Sequence, residues 1–129
     1  MSRGSAILAA LVVIAASLTL AGCSRGRSAA SDAYGERSAV TENGTAVTVD
    51  LKDLQFSPKG IKIRPGTTVT WVNNDAVAHN VSQIQSVFLS PDEMQPGQRF
   101  SFTFQTPGTY RYQCTFHHPN MNGVVIVEG

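Results

Sequence analysis

From residue 46 onward, apolar and polar positions alternate with a period of two, the mark of strands that bury one face and wet the other. Val47, Val49 and Leu51 share one face of the first run, Ile61 and Ile63 one face of the second, and Val69 and Trp71 one face of the third. Further on, Phe100, Phe102 and Phe104 alternate with Ser101, Thr103 and Gln105, and Tyr110, Tyr112 and Cys114 alternate with Arg111 and Gln113. An apolar run at 124–127 closes the chain. Turn-forming SPKG at 57–60, RPG at 64–66, NND at 73–75, QPG at 95–97 and TPG at 106–108 fall between the runs. Short strands at that spacing predict an all-β sandwich or barrel of antiparallel sheets. Residues 82–94 have no clear period and predict an irregular excursion holding a short strand or helical turn.

Composition sharpens this picture. The strand-forming region, residues 45–129, is long enough for one small core, and the chain's six Phe, three Tyr and single Trp help to fill it. Phe100, Phe102, Phe104 and Trp71 are read as core, because alternating aromatics in strands bury area. Within 45–129 six basic residues balance six acidic ones with no basic cluster, so nucleic-acid binding has nothing to rest on.

The front of the chain differs in kind. Residues 1–22 carry a short basic start at Arg3, an uncharged apolar run at 6–20 and small residues leading to Leu20, Ala21 and Gly22. That is the pattern of a secretory signal, and the apolar run falls short of the ~20 residues a spanning helix needs. Leu20-Ala21-Gly22-Cys23 resembles a bacterial lipobox, which implies a lipid anchor on Cys23 and a location on the extracytoplasmic side of a membrane, periplasmic or at the cell surface. Residues 23–44 are rich in Ser, Ala, Gly and mixed charge, and read as a flexible linker. Some 20 residues of such a tether reach roughly 25 Å.

Candidate chemistry lies in the segment CTFHHPNM at 114–121, which places a thiolate, imidazole and a thioether in one loop. Soft sulfur with imidazole nitrogen suits copper, in the arrangement of two His and one Cys with a weak axial Met. The chain has three His, two of them in this loop, so the remaining ligand is expected to be His79. Cysteine usage agrees. If Cys23 is acylated, Cys114 has no disulfide partner, and a lone thiol in an exported protein calls for an explanation such as metal ligation. The loop offers two spacings, Cys-x2-His-x3-Met through His117 and Cys-x3-His-x2-Met through His118.

Several segments carry a family resemblance: GIKIRPGTTVTWVNND at 60–75, AHNV at 78–81, PG at 96–97 with FSFTF at 100–104, and PGTYRYQC at 107–114 followed by the His and Met of the loop. In this order they resemble the blue copper proteins, or cupredoxins, of the plastocyanin and amicyanin type. The resemblance implies a Greek-key β-sandwich with one mononuclear copper at one end, cycling between Cu(I) and Cu(II). It makes His79 the first His and Cys114 the thiolate. Short-loop relatives use Cys-x2-His, which favours His117 as second His, with Met121 axial. It also implies that Tyr110 locks a corner of the fold and that Asn80 braces the Cys loop through Thr115. Many relatives have Pro before the first His where this chain has Ala78, which leaves φ less restricted there.

The implied function is a tethered, monomeric electron carrier that meets redox protein partners where His117, Phe116, Pro119 and Asn120 form a docking surface, with His118 able to tune docking. The alternative is an extracytoplasmic copper chaperone or store, which favours Met-rich or exposed, exchangeable ligands. A copper enzyme would need a further His cluster, and one His is left over, so the chain is not read as an enzyme.

Overall fold

The structure, a computed structural model, describes residues 32–129. The expected signal segment and Cys23 lie outside the described residues. Nine strands follow in order: β1 (Val40–Thr41), β2 (Ala46–Lys52), β3 (Gln55–Ser57), β4 (Gly60–Ile63), β5 (Thr67–Asn73), β6 (Ser82–Gln83), β7 (Arg99–Phe104), β8 (Gly108–Gln113) and β9 (Asn122–Val127). They form a sandwich of two sheets, one with strand order β1-β4-β9-β8-β6 and the other β3-β2-β5-β7.

The alternating positions point inward as their pattern demands. Val49, Leu51, Ile61, Ile63, Val69, Trp71 and Tyr112 are buried and join one core. Phe104 is buried there, whereas Phe100 and Phe102 pack against it half-exposed. One core aromatic comes from the stretch without a period: Phe88 stacks on Trp71 at 5.3 Å and meets Phe102 at 5.1 Å. A single apolar side chain dropped in from a loop leaves no periodicity to read. The rest of that stretch is largely irregular, with β6 its only named strand.

The expectation of antiparallel sheets needs correction. β2 runs parallel to β5, β4 to β9 and β1 to β4, while β2/β3, β5/β7, β6/β8 and β8/β9 are antiparallel. Alternation reports which face of a strand is buried, but not which way its neighbour runs. After β3 the chain crosses to the opposite sheet as β4 and then returns as β5, and that crossover lets β5 lie parallel to β2. The ordered pairing also starts earlier than the linker reading: Val40 and Thr41, inside 23–44, pair with Ile61 and Lys62. Arg111 of β8 donates to Glu36 and lies over the Tyr34 ring.

Two details prepare the site. The Tyr110 hydroxyl donates to the Thr106 carbonyl at 2.7 Å, a corner lock of the kind seen in sandwich folds. Gly123 on β9 faces Tyr112, and a Cβ there would sit 2.6 Å from the Tyr112 hydroxyl, so only glycine lets that ring lie flat beneath the strand. Tyr112 is thus anchored two residues before Cys114.

Candidate metal centre

Two segments converge at one end of the sandwich. One leaves the C-terminal end of β5 and runs through residues 74–78 to His79; the other is the loop 114–121 between β8 and β9. Parallel and antiparallel pairing within the two sheets brings these strand ends together, although their ligand candidates lie 35 residues apart.

The upstream arm is held by long-range bonds. Asn73, fully buried, donates through Nδ2 to the carbonyls of Val77 at 2.8 Å and Met94 at 2.7 Å, and its Oδ1 accepts from the Asp75 N–H. The backbones of His79 and Met94 exchange two bonds, 3.1 and 2.7 Å. The loop 114–121 instead closes on itself: the Cys114 N–H donates to the Met121 carbonyl at 3.0 Å, and the N–H groups of Asn120 and Met121 both donate to the His117 carbonyl at 3.1 Å. Asn80 joins the two segments. Its Nδ2 donates to Thr115 Oγ1 at 2.7 Å and its Oδ1 accepts from the Thr115 N–H at 2.8 Å.

The donor atoms meet in a triangle. Cys114 Sγ lies 3.7 Å from His79 Nδ1 and 3.5 Å from His117 Nδ1, and the two Nδ1 atoms are 3.2 Å apart. A point equidistant from those three corners lies about 2 Å from each, the length of a metal–nitrogen or metal–thiolate bond. His79, Cys114 and Met121 are fully buried, and the His117 ring is half-buried. His118 is exposed and does not join the three-residue cluster. Of the two His in the loop, the turn after Cys114 directs His117 inward, toward His79 and Cys114.

Asp75 accounts for the direction of His79. Its Oδ2 accepts the Leu54 N–H at 3.0 Å and lies 3.0 Å from His79 Nε2. A carboxylate only accepts, so Nε2 is the donor in this pair, and Nδ1 is the nitrogen turned toward Cys114 and His117. The Leu54 N–H, more than the His79 contact, holds the Asp75 carboxyl down at about 2 from the ordinary 3.8, against a smaller opposing effect of partial burial. Sequence reading missed Asp75, Asn73 and Met94 as supports. An acid four residues before a candidate ligand is a signal for the first; the other two leave none, because their roles run through distant backbone.

The copper binding proteins of the plastocyanin/azurin family match residues 43–128. Amicyanin of Paracoccus denitrificans is 38% identical over 87 residues, covering 64% of this chain and 66% of its own length. Amicyanin-alpha of Methylorubrum extorquens is 37% identical, with 74% of this chain and 84% of that protein covered. A purple cupredoxin from Nitrosopumilus maritimus superimposes with a TM-score of 0.59 at 33% identity, over 64% of this chain and 99% of that one.

Proposed function

The chain belongs to the plastocyanin/azurin family of copper-binding proteins, and from that premise we propose that it is a one-electron carrier acting outside the cytoplasm, with His79, Cys114 and His117 as equatorial ligands and Met121 as the axial one. The observation that carries this reading is the triangle of donors 3.2 to 3.7 Å apart. Lone pairs packed that closely in a buried place repel unless a cation sits among them, and thiolate with imidazole selects a soft or borderline metal. Bound copper supplies the Cu(I)/Cu(II) couple.

The chain's own part is to hold still and to choose an exit. His79 is fixed by Asp75 and Met94, Cys114 by the β8 end and Met121 by the backbone bond to Cys114, so the donors keep their places when the charge between them changes. A site that does not rearrange lowers the barrier to electron exchange. The His117 ring is the half-exposed member, flanked by Phe116, which is 49% exposed, and by exposed Pro119 and Asn120. A redox protein docks on that surface and exchanges electrons through the ring edge. Burial of His79, Cys114 and Met121 disfavours the rapid ligand exchange that a copper chaperone or store requires.

Residues 1–22 are proposed as the signal segment and Cys23 as the lipid-bearing residue that keeps the folded domain at a membrane surface. Incorporation of labelled fatty acid, lost in Cys23→Ser, checks the anchor. The carrier reading is tested by loading the protein with copper and recording optical and paramagnetic spectra with a midpoint potential. An intense visible thiolate-to-copper band with reversible one-electron cycling is expected. A colourless protein, or one that hands copper to a weak chelator within seconds, would sink the carrier reading.

A further inference from the structure

The register of the β2–β3 hairpin pairs Lys52 with Gln55 and leaves Asp53 and Leu54 as a two-residue turn. Both adopt left-handed backbone, with φ of 53° and 58°. Turns of that hand favour Asn-Gly or Asp-Gly, and a leucine in the second place is sterically disfavoured. Core packing does not explain it, because the Leu54 side chain is 47% exposed. Residues held in sparsely populated backbone regions cluster where a site needs them.

What the conformation achieves is visible in one bond. The N–H of the second turn residue takes no part in the hairpin ladder, and here it points across to Asp75 Oδ2, 21 residues away, at 3.0 Å. The same oxygen meets His79 Nε2. We propose that the Asp53–Leu54 turn is a working part of the metal centre: through the Leu54 N–H it positions the Asp75 carboxylate, which fixes His79 as the Nε2–H tautomer and leaves Nδ1 to the metal. Leu54 and Asp75 are positioning residues that act through His79. This inference rests on His79 being a ligand.

The consequences separate from a merely structural role. Without the Leu54 N–H, the carboxylate keeps only the adjacent Ala76 N–H on Oδ1, at 3.0 Å, and loses the one long-range bond that holds Oδ2, so His79 gains freedom to rotate or change tautomer. Partners of this kind typically change metal affinity by about 10- to 100-fold when removed. A carboxylate beside the ligand also favours the more highly charged oxidised state, so its neutralisation raises the midpoint potential.

Three variants of the full chain test the proposal: an amide-to-ester replacement at position 54, which deletes only the N–H; Leu54→Gly, which keeps the N–H and suits the turn; and Asp75→Asn. In the metal-free protein, nitrogen NMR of His79 is expected to show the Nε2–H tautomer in wild type and Leu54→Gly and a mixture in the ester. Copper affinity is expected to fall about 10- to 100-fold in the ester and in Asp75→Asn, to stay at the wild-type value in Leu54→Gly, and the potential to rise in Asp75→Asn. An ester variant with wild-type tautomer and affinity, or a Leu54→Gly variant that loses both, overturns the proposal. A His79→Gly variant that keeps the intense visible band would instead overturn the ligand reading, and the tautomer measurement, made without metal, tells the two failures apart.

Discussion

The two segments that meet at the metal centre are built on opposite plans. The arm carrying His79 buries that ring completely and is fastened by bonds to residues far away in sequence, Leu54 and Met94 among them. The loop 114–121 is compact, closes mainly through bonds within itself, and leaves His117 half-exposed. One segment supplies rigidity and the other supplies access. Electron exchange needs both, because donors that shift with charge slow the transfer and a wholly buried site keeps the partner at a distance.

The sharpest way to break this contrast is to delete each imidazole and offer it back. Both His79→Gly and His117→Gly are expected to lose the intense visible band of the copper-loaded protein. Added imidazole restores the band in His117→Gly, whose site opens to solvent, and leaves His79→Gly dark because no path reaches its buried pocket. Equal rescue of the two variants would remove the distinction.

A smaller effect separates the fastenings. Asn73→Ala removes the bonds from its buried side chain to the Val77 and Met94 carbonyls, the latter still held by the His79 N–H, and is expected to cost about 1–3 kcal/mol in denaturant unfolding. Asn80→Ala, at the exposed link between the segments, is expected to cost about 1 kcal/mol. Acid comes next. Asp75 is depressed in the folded state to about 2 from 3.8, so the unfolded chain binds the proton more readily. Its stabilising contribution is present above 3.8 and is lost as pH falls toward 2. Metal-free Asp75→Asn is therefore expected to show a shallower loss of stability than wild type across that window, read by denaturant midpoints at successive pH values. The smallest change is predicted for His118→Gln, which leaves the visible band in place because His118 stands outside the donor triangle.

The same contrast explains what could be read in advance. The loop was legible because its donors sit within eight residues, and short-range spacing is what a sequence displays directly. The core faces of β2, β4, β5 and β8 were legible because a pleated strand with one buried face must alternate. Phe88 was not, since it reaches the core from an irregular stretch, and the parallel strand pairs were not, since direction depends on where the chain crosses between sheets. Asp75 shows the limit most clearly. Its place four residues before His79 is a local hint, but its bond to the Leu54 N–H exists only once the β2–β3 hairpin and the loop after β5 are folded against each other.

By itself the sequence determined the all-β class, the inward faces of its main strands and the types of donor on offer: one thiolate, two imidazoles and a thioether just before the C-terminal strand, with a third imidazole upstream at His79. Those properties follow from side-chain chemistry and from periodicity along a single strand. Only the tertiary structure decided that His117 rather than His118 faces Cys114, that His79 arrives with Nδ1 foremost, and that a strained turn 25 residues upstream of His79 helps to aim it. Each is a matter of direction across space. Direction is set by sheet pairing and loop closure, which join residues whose distance along the chain says nothing about their distance apart.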